Sequence, residues 1–262
     1  MPAALNALLK KYAPRSHRFL KQSLARTEFP VPKMLLGRLV WTHRSLLNQV
    51  QAERHVLRWI VQNLRAGDVF FDVGAHQGWM SLVAARKTGR KGRVVAFEPS
   101  PPLIEYLSYH KRVNKLPQME IVPKAVTNKD AAEVRFSLVG DGNAFMNALV
   151  ETGGLEGRQE AKTVIPVEAI TLDSYSRQTG LIPDLIKIDT EGGEILACEG
   201  AKHLFANHHP ALIVAVHPLW LPEGQRIEEM FAMLKAYGYR LPESEIRNYK
   251  GADFGDYLFV AD

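Results

Sequence analysis

Two carboxylates, 26 residues apart, stand where a nucleotide-like ligand could be held. The first is in Asp72-Val-Gly74-Ala-His76-Gln-Gly78, and the second ends Val94-Val-Ala-Phe-Glu98-Pro99. Each closes a short apolar run. In open α/β sheets, ligands bind beyond the carboxyl ends of the strands. Gly74 lets the backbone turn tightly and approach a ligand, and Gly78 stands where a helix start offers its N–H groups. A dinucleotide fingerprint fails, because His76 occupies the place of its second glycine; a P-loop fails, because Trp79 follows Gly78. The ligand class that remains is S-adenosylmethionine, in whose sites an acidic residue two before the glycine faces the cationic methionine end. Asp72 has that place. Glu98 can accept hydrogen bonds from two ribose hydroxyls. The plainer readings are a simple β-to-α turn at Gly74 and a helix N-terminal charge at Glu98.

The elements needed to position these groups follow from the hydrophobic pattern. Val56, Ile60 and Leu64 repeat at helical spacing, so a helix runs from Gln51 to Gly67. Beyond it, strands and helices alternate. Strands are expected at 68–73, 93–97, 120–123, 184–189, 211–216 and 256–261, and helices at 79–87, 102–114, 194–205 and 228–237. Residues 131–139 and 163–170 are β-rich and flank a Gly/Asp/Asn-rich loop. Fully apolar strands alternating with helices imply a parallel sheet covered on both faces. Residues 1–50 show no strong strand signal and read as a loose, partly helical arm. The domain division is therefore a basic arm at 1–50 and a catalytic domain at 51–262.

DVGAHQG, FEPSP and LIKIDTEGGE together resemble the FkbM family of S-adenosylmethionine-dependent methyltransferases. The likeness covers the chain from about Gln51 onward, and K-I-D-x-E-G is its specific part. It implies a Rossmann-like α/β fold with a seven-stranded, mostly parallel sheet and one antiparallel strand near the end. It also implies methyl transfer, usually to an oxygen of a sugar or secondary metabolite. Carried over by residue, Asp72, Gly74, His76 and Gly78 match the cofactor loop. Glu98 and Pro99 match the ribose segment, Lys124 and Ala125 the adenine pocket, and Lys187, Asp189, Glu191 and Gly192 the later element. Two positions depart: His76 replaces a common Asn, and Ala215 replaces a common Glu before His217-Pro218.

Moving a methyl group from a sulfonium to an alcohol needs in-line alignment and removal of a proton. Asp189, at the end of its strand, is the first candidate base; its plainer reading is a helix N-cap. Lys187 lies two residues before it and points to the same side. A buried lysine must be paired, with Asp189, Glu191 or Glu194 as partners. His217 is a second candidate base, or a turn residue before Pro218. Asn143, Phe145 and Asn147 are candidates for acceptor contact. Trp79, Met80 and Cys198 read as core. No metal is expected, a magnesium pair at Asp189 and Glu191 being the lesser reading.

Composition limits the remaining classes. The 262 residues are 46% hydrophobic and 23% charged, which excludes collagen-like and wholly disordered chains. A single cysteine excludes an internal disulfide framework. No apolar run approaches the roughly 20 residues of a membrane-spanning helix, and the expected compartment is cytoplasmic. The net charge of +5 is uneven: residues 1–66 hold 12 Lys+Arg against 2 Asp+Glu. The expected partner is a small-molecule or glycan acceptor; an anionic one is one reading of the basic arm, and a solvated arm or dimer contact is the plainer one. A peripheral membrane contact and a homodimer stay open. An RNA methyltransferase guided by the arm is the rival enzyme reading, disfavoured by the missing N-P-P-Y-like motif. A catalytically degenerate S-adenosylmethionine-binding protein, prompted by Ala215, is the rival non-enzyme.

Overall fold

The computed structural model describes residues 30–35, 37–43, 53–140, 147–150, 162–249 and 251–261. A hairpin comes first, β1 (Val31–Leu35) with β2 (Arg38–Thr42). Then follow α1 (Arg54–Asn63), β3 (Val69–Val73), α2 (Trp79–Thr88), β4 (Arg93–Phe97), α3 (Pro101–Val113) and β5 (Met119–Val122). Next are the strands β6 (Ala125–Val126), β7 (Ala131–Val139), β8 (Ala148–Leu149) and β9 (Lys162–Ile170). The chain continues through α4 (Leu172–Thr179), β10 (Leu185–Ile188), α5 (Glu194–Glu199), α6 (Lys202–Asn207), β11 (Ala211–Val216) and α7 (Ile227–Ala236). It closes with β12 (Tyr239–Tyr249) and β13 (Ala252–Ala261).

Seven strands form the main sheet in the order β12-β13-β11-β10-β3-β4-β5. β11, β10, β3, β4 and β5 run parallel, and β13 is antiparallel to both neighbours. Alternation along the strands feeds two apolar layers. Phe71, Val95, Ile186 and Val214 face one side, and Phe70, Val94, Leu185 and Ile213 the other. This is the seven-stranded, mostly parallel sheet that the family resemblance implies. β10 breaks the apolar rule: Lys187 stands among the residues of the second face, in register with Asp72 of β3. A smaller sheet, β6-β9-β7-β8, joins the chain after β5.

Three departures from the expected elements have local causes. Residues 31–42 form a hairpin rather than a helical or loose arm. Val40 and Thr42 are buried, and Asn114 at the end of α3 accepts from the Trp41 N–H at 2.8 Å and donates to its carbonyl at 2.6 Å. The long helix expected over 194–205 is two helices, because Gly200 packs directly on the Thr127 carbonyl, where a Cβ would collide. β12 escaped notice because it is a mostly exposed, charged edge strand, with its irregularity between Arg240 and Glu243 around Pro242.

Candidate active site

A cavity opens beyond the carboxyl ends of the central strands. Gly74, His76, Glu98, Pro99, Lys124 and Ala125 line it, six of the eight residues assigned to the cofactor from sequence. Asp189, Glu191 and Asn147 also line it. Its apolar walls include Leu103, Phe136 and Leu149. Phe136 and Leu149 come from the second sheet, and no motif marks them. Asn143 and Phe145 lie outside the described residues.

The loop after β3 explains its glycines. Gly74 has φ +72°, and a Cβ there would overlap the Asp189 carbonyl, so the ends of β3 and β10 close against each other only through glycine. Gly78, at φ +87°, would strike Leu107 of α3 at 2.6 Å; it does not line the cavity, and its role is packing. His76 sits in the left-handed region at φ 52°. Its backbone N–H donates to Glu98 Oε2 at 2.8 Å, and the Ser100 N–H donates to Oε1 at 2.9 Å. A carboxylate has about four lone-pair sites, so each oxygen keeps capacity to accept from a ligand. Burial pushes the Glu98 carboxyl up to about 7, against the pull of those two N–H groups.

Asp72 departs from its assignment. Its carboxylate is fully buried and is absent from the cavity lining. Ser81 Oγ donates to Oδ2 at 2.5 Å, and Lys187 Nζ lies 3.6 Å from Oδ1. The alternation of β3 turns Asp72 toward α2 and Lys187, away from the ligand space. Burial raises the Asp72 carboxyl, offset in part by Lys187 and Ser81.

Lys187 is the centre of the polar cluster. Its Nζ stands 3.2 Å from Asp189 Oδ2 and donates to the Gly74 carbonyl at 3.1 Å. Burial would neutralise it, but Asp189 and Asp72 outweigh that and hold the ammonium strongly charged. Of the partners expected from sequence, Asp189 is confirmed, whereas Glu194 is committed elsewhere. Burial would lift Asp189, yet Lys187 and then His217 draw its carboxyl below the ordinary range. Asp189 is therefore an ionised carboxylate at the cavity wall rather than a helix cap; the N-cap of α5 is Gly193.

His217 is not the neutral base that its position at a strand end allowed. Glu194, fully buried, lies 2.9 Å from its Nδ1, while Nε2 is 3.9 Å from Asp189 and 4.0 Å from Glu191. Burial opposes charge on the ring, but Glu194 outweighs it, with Glu191 and Asp189 adding, and the pKa rises to about 10. His217 is an imidazolium at neutral pH and cannot take up a further proton. Trp220 stacks on it with ring centroids 5.0 Å apart. Glu194 also accepts from the Thr190 and Gly192 N–H groups, which fixes the loop carrying Glu191. Asp189, Glu191 and His217 are close enough to share a cation; the Glu194–imidazolium pair accounts for the histidine without one.

Two acidic residues escaped the sequence reading. Asp256 on β13 is in register with Ala215, so a buried carboxylate stands one strand away from the position where the family resemblance expects Glu. His55 lies 2.7 Å from it and Arg247 3.3 Å. Glu53, ahead of α1, is pushed up to about 7 by burial and then by Asp189, with Lys187 opposing. Neither residue belongs to a motif, and only the fold brings them to this cluster. Cys198 is buried, and burial holds its thiol up, as the core reading expects.

The family model described as the methyltransferase FkbM domain matches residues 72–241. No curated protein matches the chain. Among solved structures, an FkbM methyltransferase from Methylobacillus flagellatus KT is similar at 16% identity and a TM-score of 0.50, over 79% of this chain and 46% of that one. The chain thus spans just under half the length of that relative. TYW2 of M. jannaschii, in complex with AdoMet, is 14% identical at a TM-score of 0.46, over 90% and 88% of the two chains. TYW2 of P. horikoshii, in complex with MeSAdo, is 15% identical at 0.49, over 96% and 84%. With the family model matching from Asp72 to Leu241, about two thirds of its length, the chain belongs to the FkbM methyltransferase family.

Proposed function

We propose that the protein is an S-adenosylmethionine-dependent O-methyltransferase acting on a hydroxyl of a small molecule or glycan. The observation that carries this is an ionised carboxylate, Asp189, at the wall of a cavity that buried Glu98 and apolar side chains also line. The residues present fit the cofactor. Glu98 has acceptor capacity for a ribose, Leu103, Phe136 and Leu149 offer an apolar slot for a base, and the Gly74 turn has no side chain to obstruct a ligand. The cofactor supplies an activated methyl group.

The chain's residues do the rest. Asp189 and Glu191 give the cavity negative potential, which favours a cationic ligand. Asp189 accepts a hydrogen bond from the acceptor hydroxyl and orients its oxygen. It takes the proton only as the new C–O bond forms and the hydroxyl becomes acidic. Lys187 keeps Asp189 ionised and turned to the cavity. His217, through Glu194 and Glu191, holds the loop after β10 in place. Alignment of this kind lowers a barrier by about 7–11 kcal/mol.

Transfer is tested by incubating the protein with isotope-labelled S-adenosylmethionine and metabolite extract, then locating the label by mass spectrometry. Label on oxygen is expected; label on nitrogen alone overturns the assignment of the acceptor atom. Glu98 provides an independent check. With its carboxyl raised to about 7, the ionised form that accepts from ribose hydroxyls becomes dominant only as pH rises through that value. Cofactor affinity measured by calorimetry is therefore expected to increase from pH 6 to pH 8 and then level off. Glu98→Gln should bind about 10- to 100-fold more weakly, the worth of hydrogen bonds to a charged group, and should lose that pH dependence. Affinity in Glu98→Gln equal to the parent's would remove Glu98 from the cofactor site.

A further inference from the structure

The hairpin has two unlike faces. Cross-strand pairs Pro32↔Trp41 and Met34↔Leu39 share one face, and Lys33↔Val40 belongs to the other. The second face packs on the body, with Val40 buried. The first is apolar and turned outward: Met34 is 61% exposed, Leu39 49% and Trp41 37%. Exposed apolar side chains gathered on one face mark an interaction surface.

Cations flank its Trp41 edge. Trp41 lines a groove together with Arg86, Arg90 and Lys115. Exposed Lys91, in the loop from α2 to β4, and Arg93, the first residue of β4, follow Arg90. Residues 1–29, which lead in sequence directly to β1, add six Lys or Arg against one Glu. The excess positive charge read from the sequence thus continues on the body, in segments that no N-terminal count includes.

We propose that this face docks on an anionic lipid bilayer, with the hairpin's apolar side chains at the headgroup boundary and the surrounding cations against the lipid phosphates. Charge complementarity favours an anionic partner, and each Lys or Arg near such a surface contributes about 1 kcal/mol. Trp at the interface and apolar residues beneath the headgroups are the pattern of peripheral insertion. A nucleic acid would use the same cations and stack on Trp41 alone, whereas Met34 and Leu39, the more exposed pair of this face, offer it no base-stacking surface. The groove lies at the amino ends of β4 and β5, whereas the cavity lies at the carboxyl ends. Docking here therefore turns the cavity toward the aqueous side.

Co-sedimentation of the full chain with vesicles tests this, comparing pure phosphatidylcholine with a mixture containing phosphatidylserine, at low and at physiological salt. Binding is expected to the anionic vesicles alone and to weaken with salt. Arg90→Glu/Lys91→Glu/Lys115→Glu should reduce the partition about a hundredfold or more, at about fivefold per cation lost. Met34→Ser/Leu39→Ser should reduce it while leaving the salt dependence in place. Thermal midpoints matching the parent's confirm that both variants are folded. Equal binding to neutral vesicles, no binding at low salt, or binding of an oligonucleotide in place of vesicles would each overturn the proposal. None of these readings depends on methyl transfer.

Discussion

Lys187→Met is expected to cost about 3–5 kcal/mol of folding stability, the loss incurred when one partner of a buried ion pair is removed. Lys187 is nearly inaccessible, and it neutralises Asp72, which is wholly buried, and Asp189, which is mostly so. Methionine matches its length and keeps the packing, so the change reports charge rather than volume. Without the ammonium, Asp72 retains only the Ser81 hydroxyl among the partners of its carboxylate. Burial, which already raises its pKa, would then dominate, and the group would stay ionised only at a large energetic cost. The second change Asp72→Asn removes one of the stranded charges and should return a good part of the loss. Urea unfolding of the parent, the single variant and the double variant measures this coupling directly. A single variant within about 1 kcal/mol of the parent would show that the cluster is hydrated and that Lys187 is not its electrostatic centre.

The same cluster shows where sequence reading reached and where it stopped. Period-two alternation placed Lys187 and Asp189 on one side of β10, and the cost of burying a lysine demanded a partner. That the partner set includes Asp72 was not legible. Asp72 and Lys187 meet through the register of two parallel strands 115 residues apart in sequence, and the apolar runs fix strands without fixing neighbours or register. The motif pointed to the end of β3, where the cavity opens, yet only the pleat decides that Asp72 turns inward while Gly74 and Glu98 line it. His217 failed as a base for a related reason. Its pKa depends on Glu194, 23 residues upstream, which in sequence reads as an ordinary acidic residue near a helix start. The cavity walls Phe136 and Leu149 belong to a second sheet whose strands carry no chemical signature.

The hairpin is the largest difference. Pro30, Pro32 and scattered cations hide two five-residue strands from periodicity, because the strands are stabilised by the body rather than by their own pattern. An isolated two-stranded ribbon is marginal in water. Val40 in the core and both Trp41 backbone groups bonded to Asn114 supply what the hairpin lacks. The family model begins only at Asp72, so neither the hairpin nor α1 falls within it. Asp256 returns a carboxylate beside Ala215 from β13, which is also beyond the matched segment. The catalytic end thus follows the family's motifs, and the surfaces around it belong to this chain.

Asp189→Asn should lower kcat by about 10²- to 10⁴-fold, the usual contribution of a positioned base, while cofactor affinity stays within a few-fold of the parent's. Asparagine keeps the shape of the side chain, and its amide oxygen can still accept from Lys187 across the present 3.2 Å. What it loses is the negative charge facing the acceptor. If Asp189 acted only as the structural partner of Lys187, the variant would be less stable but its folded fraction would turn over at the parent's rate. The separation of kcat from stability therefore discriminates the two roles. Glu191→Gln supplies the internal comparison. It removes a second carboxylate from the same cavity wall, but one linked to His217 instead of Lys187, and it should depress kcat far less. The pH profile adds a third reading. Lys187 and His217 draw the Asp189 carboxyl below its ordinary range, so the acid limb of kcat should lie below the usual carboxylate pKa of about 3.9. Lys187→Met should move that limb upward in whatever fraction remains folded, because it removes the cation 3.2 Å away that does most to hold Asp189 ionised. A kcat for Asp189→Asn within about threefold of the parent's, read as a transition-state free-energy difference, would transfer the base role to another carboxyl. Glu53, raised to about 7 in the same electrostatic field, is then the group to substitute next.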